Sequence, residues 1–166
     1  MRAIEAELWV PLYLGALAQG YGHGGQADEG LKTVAEALAM VEKNGERWTE
    51  AELYRLKGEL TLQQESQKSK GKSQKSKIHS PQPLTLSTLA EAEAEACFQK
   101  AIEIAQRQQA KSLELRAVMS LARLWRQQGK RNEAHQLLAE IYGWFTEGFD
   151  TKDLQEAKAL IAELSH

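Results

Sequence analysis

Apolar residues return along this chain at steps of three and four, the period of an amphipathic helix. Leu8, Leu12, Leu14, Leu17, Ala18 and Tyr21 predict a helix over about 3–21. Gly20, Gly22, Gly24 and Gly25 end it, because each glycine inside a helix costs about 1 kcal/mol. Leu31, Val34, Ala35, Leu38 and Val41 predict a second helix over about 26–43, stopped by Asn44-Gly45. Thr49 followed by Glu52 has capping-box spacing and opens a third helix carrying Leu53, Tyr54, Leu56, Leu60 and Leu62. Thr88 and Glu91 have the same spacing ahead of Ala94, Phe98, Ala101, Ile102 and Ala105, predicting a helix that ends near Gln109. Three more helices follow. One is capped by Ser112 and runs through Leu115, Val118, Leu121, Ala122 and Trp125; one covers about 132–144; the last covers about 151–164. Alternating β-branched patterns and hairpin dipeptides are missing, so the expected class is all-α.

The helices are in register with one another. Gly30, Val34 and Ala37 share their spacing with Ala94, Phe98 and Ala101, and with Ala134, Leu138 and Ile141. A small residue precedes each trio: Ala18, Gly58 and Ala122. The small residue and its trio begin twelve positions apart in the first and third units but thirty-six apart in the second. Removing the excess of twenty-four restores a constant period of forty. The excess matches the stretch 64–87, rich in Lys, Ser and Pro. Its scarce apolar surface predicts a flexible insertion between the paired helices of unit two, inside a single domain of 1–166. A fixed period in this range marks a helical solenoid, with small residues where helices approach closely.

Composition narrows the function classes. Formal net charge is −2 over 166 residues, so no global field draws the chain to nucleic acid. Lys68, Lys70, Lys72, Lys75 and Lys77 form a local basic run, yet no aromatic residue interleaves for base stacking, and the run is read as a solubilising loop. Apolar runs fall short of a membrane span. The start of the chain lacks a secretory apolar core and Cys97 is the sole cysteine, which together point to the cytoplasm.

Val118, Leu121, Ala122, Trp125, Gly129, Ala134, Leu138 and Ile141 fall in the order of the tetratricopeptide repeat. So do Leu14, Leu17, Ala18, Tyr21, Gly25, Gly30, Val34 and Ala37. Tyr54, Lys57, Gly58 and Thr61, with Ala94, Phe98 and Ala101, supply a split second match. The chain thus resembles a tetratricopeptide (TPR) array, with a period of forty rather than thirty-four and without the unit-closing proline. The run from Ala110 to Trp125 and the run from Tyr142 to Ala159 resemble the C-terminal TPR region of bacterial class III adenylate/guanylate cyclase or AAA-type ATPase signalling proteins. No cyclase or ATPase motif accompanies them. The resemblance implies a right-handed α-solenoid of three helical hairpins plus a C-terminal capping helix. It also implies a non-catalytic module that holds a peptide or partner domain in a concave groove, or a sensor that takes a small ligand there. The groove residues so implied are Gln19 and His23 in unit one, Glu52, Arg55, Glu59 and Gln63 in unit two, and Arg116, Met119, Arg123, Arg126 and Gln127 in unit three. Arg116, Arg123 and Arg126 share one helical stripe suited to carboxylates or phosphates. The family's carboxylate clamp needs Lys and Asn where this chain has Gly15 and Gln19, so that clamp is not expected.

Other chemistry finds little support. Gly20-Tyr-Gly-His-Gly-Gly25 fits G-x-G-x-x-G but follows a helix, and is read as an interhelical turn. His23, His79, His135 and His166 are scattered, so no metal is expected, and no cofactor motif is found. Cys97 beside Phe98 is read as a core thiol, and Glu91, Glu93 and Glu95 as a solvated face. Trp144, Phe145 and Phe149 are expected to pack the last helix against unit three. Leu8, Trp9 and Leu12 are expected to form an exposed apolar face that permits self-association.

Overall fold

Helix formers without strand patterning produce helices. The computed structural model describes the backbone of residues 2–45, 47–73 and 83–166 and the side chains of 9–45, 47–71 and 87–166. Among these the chain is all-α. In order come α1 (Arg2–His23), α2 (Ala27–Asn44), a 3-10 turn (Arg47–Thr49), α3 (Glu50–Ser73), α4 (Pro83–Arg107), α5 (Lys111–Gln127), α6 (Arg131–Trp144) and α7 (Lys152–Leu164). No described helix is long and apolar enough to cross a membrane.

Packing is dominated by neighbours. Each helix contacts the next in sequence, and further contacts join α1 to α3, α3 to α5, and α5 to α7. The buried apolar residues fall into clusters that follow this order. One gathers Ala18, Val34, Ala37, Leu53 and Leu60 from α1, α2 and α3. A second gathers Ala94, Phe98, Leu121 and Leu124 from α4 and α5. A third gathers Leu115, Val118, Ala134, Leu138, Leu154 and Leu160 from α5, α6 and α7. All three sequence trios are buried, Phe98 being only 1% exposed.

Small residues do the work expected of them. A Cβ on Gly58 would lie 2.6 Å from Cε1 of Phe98, so only glycine lets α4 approach α3 this closely. The turns repeat too. After α1, α4 and α5 the backbone makes the same pair of Schellman bonds: Gln26 to Tyr21 and Gly25 to Gly22, Ala110 to Ala105 and Gln109 to Gln106, Lys130 to Trp125 and Gly129 to Arg126. Gly25, Gln109 and Gly129 hold the left-handed position, with φ of 74°, 55° and 80°.

Several local expectations are corrected. The segment expected to loop from 64 remains helical to Ser73, and α4 already begins at Pro83; residues 74–82 lie outside the described ones. Gln and Lys tolerate helix well. Tertiary hydrogen bonds also fix the extension: Gln63 donates to the Gly22 carbonyl at 2.7 Å, Gln67 to the Gly25 carbonyl at 2.9 Å, and Gln64 to Asp28. Neither capping box forms. Thr88 lies inside α4, whose first residue is Pro83, a favoured first-turn residue. Thr49 ends the 3-10 turn with its hydroxyl buried and without a hydrogen-bond partner, while Glu52 turns to arginines instead. Helix α5 begins at Lys111, one residue before the expected cap Ser112.

Candidate functional site

Helices α1, α3, α5 and α7 are linked in succession by packing, and the expected groove residues lie on the first three. Within α3, Arg55 sits between Glu52 and Glu59, one turn away on either side. Its Nε and Nη2 donate to Glu52 at 2.9 and 2.7 Å, and its Nη1 donates to Glu59 at 2.5 Å. Ser120 on α5 donates to the same Glu59 oxygen at 2.8 Å. Arg55 is 6% exposed. Burial opposes its charge, but the hydrogen bonds and charges of Glu52 and Glu59 outweigh burial and hold its pKa above the usual arginine value. Arg55 is therefore a buried strut between α3 and α5, not the groove residue expected.

Met119 needs a second correction. It is 3% exposed and belongs to the core shared by α5, α6 and α7. Three residues after Arg116 and four after Leu115, it lies where α7 covers α5. The packing of α5 against α3, α4, α6 and α7 leaves few of its positions free.

The arginine stripe of α5 is present, and its charges are met from within the chain. Arg116 pairs with Glu52 at 3.2 Å and Asp153 at 3.8 Å, Arg123 with Glu156 at 3.2 Å, and Arg126 with Glu163. The acids of the last three pairs all belong to α7, so the stripe fastens that helix. Each arginine keeps about a third or more of its side chain exposed. Gln127 is exposed but lies apart, in the cleft between α3 and α4 with Glu65, Ser69 and Glu91. His23 is exposed at the last turn of α1.

Gln19, Glu52 and Arg116, from three different helices, converge. They border one cleft of about 170 Å3 whose other walls are Pro11, Leu12, Gly15, Ala16, Thr49, Leu53 and Leu56. Its buried lining is apolar apart from Thr49, and the more exposed Gln19, Glu52 and Arg116 supply its other polar groups. Glycine in α1 leaves the space open, since Gly15 brings no Cβ against Leu53, and the buried Pro11 ring lines the wall beside it. Two elements of this site escaped sequence reading. The acids of α7 stand thirty or more residues beyond their arginines, and no spacing rule links them. Helix α1 supplies the wall of the cleft through residues that look like ordinary core.

Cys97 is buried, and that burial pushes its thiol up; Lys57 draws it down and Glu93 raises it further. Among the described residues no three His, Cys, Asp or Glu side chains converge as metal ligands. Phe145 and the partly buried Tyr142 pack against the α5–α7 core, whereas Trp144 and Phe149 stay largely exposed, so only part of the aromatic cluster anchors α7 as expected. Comparison with family models, curated proteins and solved structures found no match.

Proposed function

We propose that this chain is a right-handed α-solenoid of three TPR-like hairpins closed by α7, and that it works as a non-catalytic protein-interaction module of a bacterial signalling protein. Packing dominated by neighbours among the described residues, and the repeated turns, support the architecture, since solenoid units lean on adjacent units. The observation that carries the function is the cleft where Gln19, Glu52 and Arg116 meet over a mostly apolar buried lining. A dry cavity of about 150 Å3 accepts benzene. The cleft therefore suits one Phe-sized or Leu-sized side chain of a partner peptide, with the three polar side chains setting the orientation of its backbone. Such anchors in pockets supply most of the affinity of many interfaces.

Peptides selected from a random library against the intact chain test this reading. They are expected to share a large apolar anchor and to lose about tenfold or more in affinity against Gln19→Trp, which fills the cleft from an exposed position. Selected peptides that bind Gln19→Trp unchanged overturn it. The single-group size of the cleft also favours a second reading, a sensor for a small ligand. A panel of benzene-sized ligands separates the two: a true ligand at a hundred times its Kd adds about 2.7 kcal/mol and raises the melting temperature.

A further inference from the structure

Helix α1 carries two apolar stripes, and only one of them is buried. Pro11, Gly15 and Ala18 face the core. Trp9, Leu12, Tyr13, Ala16, Leu17 and Gly20 recur at steps of three and four along another face, and all six are exposed. Tyr13 is 70% and Trp9 53% exposed, and Trp48 stacks edge-on against Trp9 at 5.9 Å to extend the patch. No Asp, Glu, Lys or Arg occurs between Glu7 and Asp28. A surface helix ordinarily turns charge to water on the face away from the core. This one does not.

We infer that the outer stripe of α1 is a self-association surface on which two copies of the chain dock face to face about a two-fold axis. Three observations select a second copy as the occupant. First, the stripe offers no charge for an oppositely charged partner to meet, whereas an identical apolar stripe matches it, as a two-fold contact requires. Second, aromatic side chains carry about 150–250 Å2 each, so the partly exposed Trp9, Tyr13 and Trp48, with Leu12 and Leu17 beside them, present on the order of 500 Å2. Counted on both copies, that is on the order of 1,000 Å2, the lower bound for a specific interface. Third, head-to-tail stacking is disfavoured. The exposed positions of α7 are Lys152, Gln155, Lys158, Ala159, Ala162 and Glu163, and laying an apolar stripe on them would take the charges of Lys152, Lys158 and Glu163 out of water with no polar group of the stripe to replace it. Ala16 and Gly20 lie within the stripe, and a Cβ at Gly20 would meet nothing within 4 Å, so the two backbones have room to approach.

Sedimentation equilibrium on the full chain across the micromolar range tests the inference. The expected result is a monomer–dimer equilibrium whose Kd rises about tenfold or more in Tyr13→Glu/Leu17→Glu and stays unchanged in Lys158→Glu/Ala162→Glu. Tyr13 and Leu17 do not line the cleft. Leu12 and Ala16 belong to both the stripe and the cleft wall, so peptide capture is measured below the dimer Kd, where it reports on the cleft alone, and circular dichroism verifies that both variants keep their helices. A concentration-independent monomer, an open series of oligomers, or association lost only in the α7 variant each overturns the inference.

Discussion

Single residues set how closely these helices approach. Ala is ordinarily the best helix former and outranks Gly by about 1 kcal/mol. At Gly58 that gain is outweighed, because the added methyl would press on the ring of the fully buried Phe98. Gly58→Ala is expected to cost about 1–3 kcal/mol, the usual penalty for overfilling a packed core. Urea denaturation against the unmodified chain reads the difference, and a variant of equal or greater stability contradicts it. Phe98 and the remaining trio residues were legible in the sequence, because burial follows directly from apolar spacing on a helix. Arg55 was not. Its spacing marks it as off the packing face, yet two flanking glutamates make its burial tolerable, and that is visible only once Ser120 closes the network from α5.

Among the elements, α3 and α4 stand out by length. They run to 24 and 25 residues against 17 and 14 for α5 and α6. Contacts between them run in opposite sequence directions: Ala51 meets the Ile104–Ala105 turn, Gly58 meets Phe98, and Leu62 packs with Ala94 and its neighbours. The two arms are therefore antiparallel, and the extra residues lengthen both. Replacing 64–90 by Gln-Gly-Lys, the α5–α6 turn, is expected to leave one cooperative unfolding transition. The stability lost corresponds to the hydrogen bonds of Gln64 and Gln67, at about 0.5–1.5 kcal/mol each. Failure of this variant to fold shows that the extension is integral to the hairpin. The position of the extension was legible in the register of the trios. Its helicity was not, because its helix is held by tertiary hydrogen bonds to the α1–α2 turn and leaves no apolar period in the sequence.

For the whole molecule, the order of the buried clusters predicts local rather than global failure. Leu138 belongs to the α5–α7 cluster and is fully buried. A Leu→Ala change of this kind costs about 2–5 kcal/mol. In Leu138→Ala, amide hydrogen exchange in α6 and α7 is expected to quicken by about a hundredfold or more, while α2, which lies in another cluster, changes by less than about tenfold. Uniform acceleration along the chain contradicts a modular core. The candidate cleft illustrates why the site was harder to read than the fold. Gln19, Glu52 and Arg116 share no local spacing, and only the succession of α1, α3 and α5 brings them to one opening.

The long α3–α4 arms have a consequence for how such a chain can change over generations. Because the arms pair with each other, length gained at their far ends leaves the registers of α1, α2, α5, α6 and α7 as they are. Insertions at the tip of this hairpin are thus nearly silent for the remainder of the structure. Variation in length among descendants should collect there, while the small residues at 18, 58 and 122 are held fixed by the contacts that crowd them.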